Sequence, residues 1–435
     1  MSAIAAVLAA MGHTVTGTDA AESPVLVRLQ GLGIDARAGH HPDLLLGADL
    51  VAVSTAIPKD DPEVAAARAA GIPVLRRAEA LAALCATRRT IAVSGTHGKT
   101  TTTAMVALVL REAGLDPSFI VGGEVVGLGS GAGWGEGGWF VVEADESDGT
   151  FTELGAEAVV LTNVEADHLD HHGSVEALQA AFGRFLRETP GPRIVCADDP
   201  VAAALAATVD CTTYGTSEGA DLRIVDVVTD RAGVTFTVVQ QGEELGRVGL
   251  PLPGVHNARN ATAAIAAGLA LGAPFESAAK AIGDFAGVRR RFEHRGEAGG
   301  VTFIDSYDHL PTEVAAALAA ARAGGWQRVV CAFQPHRYTR TAALWRDFAD
   351  AFTDADVLAV TDIYAAGQQP LPGVTGKLIV DAVLDDEPWR RVAWLPSRDG
   401  LRRFLAAELR SGDLCLTLGA GDLTTLPDEL LPLLS

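Results

Sequence analysis

No apolar run in this 435-residue chain reaches the ~18 residues that a bilayer-spanning helix needs, so membrane insertion is not expected. Cations are scarce: 34 Lys and Arg stand against 55 Asp and Glu, a formal net charge of −21. Without a basic stripe to displace phosphate counterions, the composition argues against a nucleic-acid partner. An anionic substrate would have to be met by local cations and helix N-termini rather than by the global field. Cysteine is sparse as well. Cys85, Cys196, Cys211, Cys331 and Cys415 are odd in number, widely spaced and mostly set in apolar strand-like runs. That pattern indicates buried thiols in a reducing cytoplasm rather than disulfides or a zinc site. Met1–Gly12 is apolar but has no basic flank and runs into a strand–helix pattern, so it is not read as a signal peptide.

What is present is material for several buried α/β cores. The length allows two to four domains, and 48% of the residues are hydrophobic. Residues 1–87 alternate short strands (around 15–19, 49–54 and 72–75) with helices, and Asp61-Pro62-Glu63 reads as an N-cap and first turn. A small parallel-sheet nucleotide domain is expected there. Residues 88–293 form a second α/β unit. It has strands at 139–143, 158–163 and 193–197, a hairpin turning at Asp230–Gly233, and a glycine-rich tract over 127–138 expected to be a mobile surface loop. A third unit over 294–435 carries strands at 301–305, 328–333, 357–360 and 414–418, with a helix over 312–322. There is no internal repeat beyond this alternation.

The most informative segment is Gly95-Thr96-His97-Gly98-Lys99-Thr100-Thr101. It follows the apolar run Ile91–Ser94 and precedes a helical pattern. A strand, a glycine turn ending in Gly-Lys-Thr and a helix make a phosphate cradle, which points to ATP. Lys99 can reach the outer phosphates, and the Thr100 hydroxyl is placed to ligate Mg²⁺. The turn is a short form, because Val93 stands where the first glycine of the longer loop would be. Two acidic segments end the following strands, Glu143-Ala144-Asp145-Glu146-Ser147-Asp148 and Asp167-His168-Leu169-Asp170. Alone they could be a solvated acidic loop and a surface histidine. Beside a phosphate turn, a carboxylate and His168 could complete a divalent-metal shell, and the imidazole would also admit Mn²⁺.

Together with Gly254–Ala261 (GVHNARNA), Arg290-Arg291-Phe292, Phe333–Thr341 (FQPHRYTRT) and Gly419-Ala420-Gly421-Asp422, these segments resemble the Mur ligases, in family order over almost the whole chain. The segment Gln334–Thr341 points to the branch that adds alanine. No lysine occurs from His171 to Pro190, which agrees with that branch. The resemblance implies a three-domain α/β architecture: a Rossmann-like UDP-sugar domain (1–87), a P-loop-type ATPase domain (88–293) and a Rossmann-like amino-acid domain (294–435). It implies a cytoplasmic ATP-dependent ligase, monomer or homodimer, that joins L-alanine to UDP-N-acetylmuramate through an acyl phosphate.

Site residues follow from the same resemblance. Lys99, which would contact the transferred phosphate, is expected to be catalytic together with His309 and Arg291, and Thr100, Glu143 and His168 would ligate magnesium. His256, Asn257 and Asn260 would hold the adenine side, and Arg291 would reach the phosphates. Arg337 and Arg340, with His336, Tyr307 and His309, would receive the amino acid, and Asp19 and His40 the uridine. Two departures stand out. The family pattern opens with a strand and glycine-rich turn ending just before Met1, so a partial UDP-sugar cradle is expected. In Asp305–Pro311, Ser306 stands for an acid, Asp308 for a small residue and Leu310 for a histidine, while Tyr307 and His309 remain. Two other readings stay open: a ligase that joins a whole peptide to the muramyl carboxylate, and a catalytically impaired nucleotide-binding relative.

Overall fold

The computed structural model describes residues 1–58, 60–147 and 149–434, apart from the side chains of Leu169 and Asp170. Asp148, the last residue of the first acidic segment, lies outside the described residues. By contacts the chain forms two compact units. The first comprises Met1–Ile224, Val238–Gly246 and Arg259–Ile282; the second comprises Val225–Thr237, Arg247–Ala258 and Gly283–Ser435.

The first unit opens on a helix, Ser2–Ala10, followed by β1 (Thr16–Asp19), β2 (Asp35–Ala38), β3 (Val51–Val53) and β4 (Val74–Arg76). The single parallel sheet expected here is instead two separate parallel pairs, β1 with β2 and β3 with β4. Each strand has only three or four residues and β1 buries none of them, so there is little apolar face on which a continuous sheet could form. Each pair keeps its own crossover helix. Asp61 caps the second, Pro62–Ala69, as its sequence indicates: its Oδ1 accepts from Glu63 N at 2.9 Å and Val64 N at 3.2 Å.

The main sheet follows: β5 (Arg89–Ser94), β6 (Ser118–Val125), β7 (Ser130–Gly133), β8 (Trp139–Glu143), β9 (Ala158–Leu161), β10 (Arg193–Cys196) and β11 (Thr212–Gly215), in the spatial order β11-β10-β9-β5-β8-β6-β7. All neighbours are parallel except β7, which runs antiparallel to β6. Five of the six residues of β5 are buried, which is why it reads as an unbroken apolar run rather than an alternation. The sheet order departs on both sides of β5. Val93 lies opposite Glu143 on one side and Val160 on the other, so the turns after β5, β8 and β9 emerge together at one edge. Ligands bind at such an edge in open α/β sheets.

The glycine-rich tract is not a mobile loop. It supplies β7, and its glycines allow close approach rather than flexibility. A Cβ on Gly133 would sit 2.5 Å from the Phe119 ring, and one on Gly135 or Gly137 would collide with the carbonyls of Asp116 and Leu115. Trp134 and Ala132 pack there against the core that holds Ile4, Val7 and Phe140.

The chain continues through β12 (Leu222–Asp230), β13 (Gly233–Gln240) and β14 (Glu243–Leu250), with the expected turn at Asp230–Gly233, where Asp230 Oδ1 accepts from Ala232 N at 2.8 Å. The second unit is then built on β15 (Glu293–Ala298), β16 (Val301–Ser306), β17 (Arg328–Phe333), β18 (Val357–Val360), β19 (Val392–Trp394) and β20 (Asp413–Leu418). Their order is β15-β16-β20-β17-β18-β19, with only β15 antiparallel. Leu418 lies opposite both Ser306 and Phe333, so the segments after β16, β17 and β20 leave the sheet side by side. Four of the five cysteines are buried and Cys211 is half-buried; all are thiols.

Candidate active site

The turn after β5 is shaped by two left-handed glycines, Gly95 (φ 128°) and Gly98 (φ 78°). A Cβ on Gly98 would lie 2.5 Å from Asn260 Oδ1, and one on Gly95 would meet Thr162 and the Asn163 backbone. The helix Lys99–Glu112 starts directly after Gly98, with its first N–H groups at the turn. Residues after β9 hold the turn in shape. Asn163 accepts from Thr96 N (3.1 Å) through its carbonyl and from His97 N (2.8 Å) through Oδ1. The Thr162 hydroxyl donates to His97 O at 2.7 Å. His97 Nε2 lies 3.1 Å from Glu165 Oε2, and Glu165 N donates to Thr96 Oγ1 at 2.8 Å. Sequence reasoning missed this brace; the only signal for it is position, directly after a strand that neighbours β5.

Lys99 Nζ donates to Gly95 O at 2.6 Å, Thr96 O at 3.0 Å and Glu146 Oε1 at 3.0 Å, with Glu146 Oε2 at 2.9 Å. Burial works against the Lys99 ammonium, but Glu146 and then Asp145 outweigh it, and its pKa is raised. Glu146 moves the other way chemically. Burial disfavours its carboxylate more than Lys99 supports it, and its pKa is pushed up to about 7. The Asp145 carboxyl would be raised by burial too, yet Lys99 and the hydrogen bond from Ser147 N (3.0 Å) hold it below its ordinary value.

The expected metal ligands fall into two groups. Thr100 Oγ1 donates to Glu143 Oε1 at 3.1 Å, while Glu143 Oε2 accepts from Gly122 N at 2.6 Å. His168, in the left-handed region at φ 54° and 3.2 Å from Asp167 Oδ2, gathers with Asp145 and Glu146, their ligand atoms within 4.8 Å of one another. Carboxylates plus a hydroxyl are a donor set suited to a hard divalent ion. Thr101 is buried behind Thr100 on the same helix.

Of the residues expected at adenine, Asn260 belongs to the first unit and abuts Gly98. Next to it, Arg259 Nε donates to Asp198 Oδ2 at 2.6 Å. His256 and Asn257 belong to the second unit, where Asn257 Nδ2 donates to Pro253 O at 2.8 Å. In the small first-unit pairs, Asp19 O accepts from Gly39 N at 2.8 Å, which brings the ends of β1 and β2 together. His40 follows there, with Nδ1 3.8 Å from Asp61 Oδ2, and Glu63 Oε2 accepts from Thr18 Oγ1 at 2.6 Å.

In the second unit, the loop ends of β16, β17 and β20 gather a train of rings: Tyr307 to His309 at 5.6 Å, His309 to His336 at 5.4 Å, and His336 stacked on Tyr364 at 5.9 Å. Arg290 and Arg291 sit over Tyr307, 4.8 and 5.1 Å from its centroid. Arg340 Nη1 reaches His336 Nδ1 at 3.1 Å, while Arg337 is exposed at φ 66° and opens the short helix Tyr338–Leu344. Arg290 Nη2 also donates to Gly419 O (2.7 Å) and Gly421 O (3.1 Å), and Gln334 Nε2 donates to Asp422 Oδ1 (2.8 Å). The departures have local explanations. Ser306 Oγ donates to Asp308 Oδ2 at 2.6 Å and accepts from Phe292 N at 3.1 Å, which ties the end of β16 to the segment before β15. Leu310 is buried at the start of helix Pro311–Ala323. Tyr364, Arg290 and Gln334 were not singled out from sequence as site residues; Tyr364 carried no motif at all.

A glycine turn between a buried parallel strand and a helix, with lysine, hydroxyl and carboxylates at its mouth, defines an α/β enzyme that handles a nucleotide phosphate. Family models for the Mur ligases match the chain in three blocks: the catalytic-domain model over residues 1–89, the middle-domain model over 93–268 and the glutamate ligase domain model over 290–421. A UDP-N-acetylmuramate–L-alanine ligase of Myxococcus xanthus is 45% identical, covering 100% of this chain and 93% of that protein. One of Kineococcus radiotolerans is 48% identical over 100% and 94%. The crystal structure of the UDP-N-acetylmuramate–alanine ligase of Thermotoga maritima superimposes with a TM-score of 0.84 at 28% identity, covering 99% of this chain and 96% of that one. The chain belongs to the Mur ligase family, with its three-domain α/β architecture, and is an ATP-dependent carbon–nitrogen ligase.

Proposed function

We propose that this protein ligates L-alanine to the lactyl carboxylate of UDP-N-acetylmuramate in peptidoglycan precursor synthesis. The observation that carries the reading is the Lys99–Thr100–Glu143 arrangement at the end of β5, in a chain 45% identical over its whole length to an enzyme named for this reaction. A carboxylate resists attack by an amine because it has no viable leaving group. In the first step a carboxylate oxygen bonds to the γ-phosphorus of ATP and the bond to ADP breaks, giving an acyl phosphate. In the second the α-amino nitrogen attacks the acyl carbon, the amide forms, and phosphate leaves.

Lys99 then meets the transferred phosphoryl group, and the helix N-terminus after Gly98 supports the phosphates. Thr100, Glu143 and His168 are the proposed holders of Mg²⁺, or Mn²⁺, which when bound would offset phosphate charge; Asp145 and Glu146 offer ligand atoms within 4.8 Å of that of His168. Asn260, with His256 and Asn257, serves the adenine side, and Arg291 the phosphates. His336, Arg337, Arg340, Tyr307 and His309 serve the amino acid, a guanidinium fork being matched to its carboxylate. Asp19 and His40 serve the uridine. Domain limits at 87/88 and 293/294, a cytoplasmic setting and a monomer or homodimer belong to the same reading. No helix among the described residues is long and apolar enough to cross a membrane.

The test is phosphate release measured with UDP-N-acetylmuramate, ATP and Mg²⁺, adding L-alanine or the peptide L-alanyl-γ-D-glutamyl-meso-diaminopimelate. Release and amide formation with L-alanine are expected. Turnover with the peptide alone would transfer the protein to the peptide-joining ligases, one of which, from Psychrobacter arcticus, is 26% identical with a TM-score of 0.72. Turnover with neither would favour the impaired relative.

A further inference from the structure

The Lys99 ammonium has three N–H groups, and the protein uses all three: Gly95 O, Thr96 O and the Glu146 carboxylate. A phosphate oxygen can gain an N–H bond from Lys99 only by displacing one of these partners. The two carbonyls belong to the same tight turn, three and four residues before Lys99, and are fixed by the turn's own bracing. Glu146 reaches in from the segment after β8 on a rotatable side chain. Its backbone is anchored, with its carbonyl accepting from Gly149 N at 3.1 Å and lying 2.8 Å from His172 Nε2, so the side chain can move while the chain stays put. The residue is only 1% exposed, so its carboxylate cannot simply exchange Lys99 for water. Glu143, Asp145 and Glu146 leave this corner with more carboxylates than lysines. An incoming phosphate therefore replaces one anion on Lys99 with another.

We propose that Glu146 is a positioning residue that competes with the outer phosphates of the nucleotide for Lys99, holding the ammonium aimed into the turn until phosphate takes its place. The inference rests on the ATP reading above and deepens it. An internal occupant lowers apparent affinity by the fraction of protein in which Lys99 is engaged elsewhere. Weakening the occupant should therefore tighten ATP, through the outer phosphates alone.

The experiment is calorimetric titration of the full chain and of Glu146→Gln with ATP and with AMP, each with EDTA so that a loss of metal binding is not scored. Glu146→Gln should bind ATP roughly three- to tenfold more tightly while AMP affinity stays unchanged. In a Lys99→Met background the same change at 146 should give no gain, because the contested ammonium is gone. Glu146→Asp, which keeps the charge on a shorter side chain, should fall between and serves if the Gln variant does not fold. Unchanged or weaker ATP binding by Glu146→Gln, an equal gain for AMP, or an equal gain in the Lys99→Met background would each overturn the proposal. If the unaltered chain bound neither nucleotide in EDTA and also bound no ATP with Mg²⁺ present, the ATP reading itself would fail.

Discussion

Nη1 of Arg340 lies 3.1 Å from Nδ1 of His336. A guanidinium can only donate, so the imidazole must accept at Nδ1 and is neutral there. The surroundings agree: burial first, then the neighbouring His309, Arg340, Arg337 and Arg290, push the His336 pKa down to about 3. Between that value and the ~6.5 of an unfolded histidine, the native state carries no proton on this residue and the unfolded state does. Its favourable share of stability is therefore complete above about pH 6.5 and is lost as the pH falls towards 3. Imidazole NMR should show His336 neutral throughout the range above pH 5. His336→Asn should flatten the fall of the urea midpoint over the acidic range. A His336 signal titrating near 6.5 in the folded protein contradicts this assignment.

Arg337→Lys and Arg340→Lys should each raise the KM for L-alanine, by roughly tenfold, with a smaller change for ATP. Lysine keeps the charge but loses the planar fork, so a two-point carboxylate contact weakens without emptying the site. Arg340→Lys should also disturb His336, since an ammonium cannot reproduce the in-plane N–H held against Nδ1. Steady-state kinetics with each substrate varied separately decide the matter. A loss confined to ATP would reassign both arginines to the nucleotide.

The parts of the site carried by local sequence were legible. The turn Gly95–Thr101 and the N-cap Asp61 are signalled by residues a few positions apart, and both fold as their sequence indicates. What needed the tertiary structure was what crosses between strands. Glu146 is one acid among several in its segment, and only the parallel register of β5 with β8 shows that it meets Lys99 rather than solvent. Asn163 and Glu165 brace the phosphate turn across β5 and β9 with no motif to announce it. Glycine was misleading in one place. Composition cannot distinguish glycines that confer mobility from those at 133, 135 and 137 that let backbone and a ring approach closely.

Lys99→Ala should lower kcat for phosphate release by ~10²-fold or more, the scale of removing one preorganised charge from a developing phosphoryl transition state. The thermal midpoint should respond in its own way, because the deletion leaves Glu146 buried beside Asp145 without its cation. Glu146 then has reason to take up a proton, and Lys99→Ala/Glu146→Gln should recover stability without recovering turnover. Near-normal phosphate release by Lys99→Ala would remove the phosphoryl-contact role.

Asp198 supports the nucleotide side from behind. It accepts from Thr216 N (2.9 Å), Thr216 Oγ1 (2.8 Å), Ser217 N (2.9 Å), Ser217 Oγ (2.7 Å) and Arg259 Nε (2.6 Å). Burial alone would raise its pKa, but the Thr216 and Ser217 hydrogen bonds outweigh that and bring it to about 2. The sign is that of a stabilising carboxylate: the benefit is full above the unfolded value near 4 and is lost as the pH falls towards 2. Arg259 is the neighbour of Asn260, whose side chain abuts Gly98, so releasing Arg259 should loosen the contact that shapes the phosphate turn. Asp198→Asn keeps the shape but loses the charge and one acceptor. It should cost about 1–3 kcal/mol at neutral pH, weaken ATP several-fold and leave the KM for L-alanine nearly unchanged. Chemical denaturation at pH 7 and pH 3 should find the gap between the two proteins narrowing in acid, where the aspartate of the unaltered chain begins to lose its own advantage. If ATP affinity and the neutral-pH midpoint both matched the unaltered protein, Asp198 and Arg259 would have no hold on the turn.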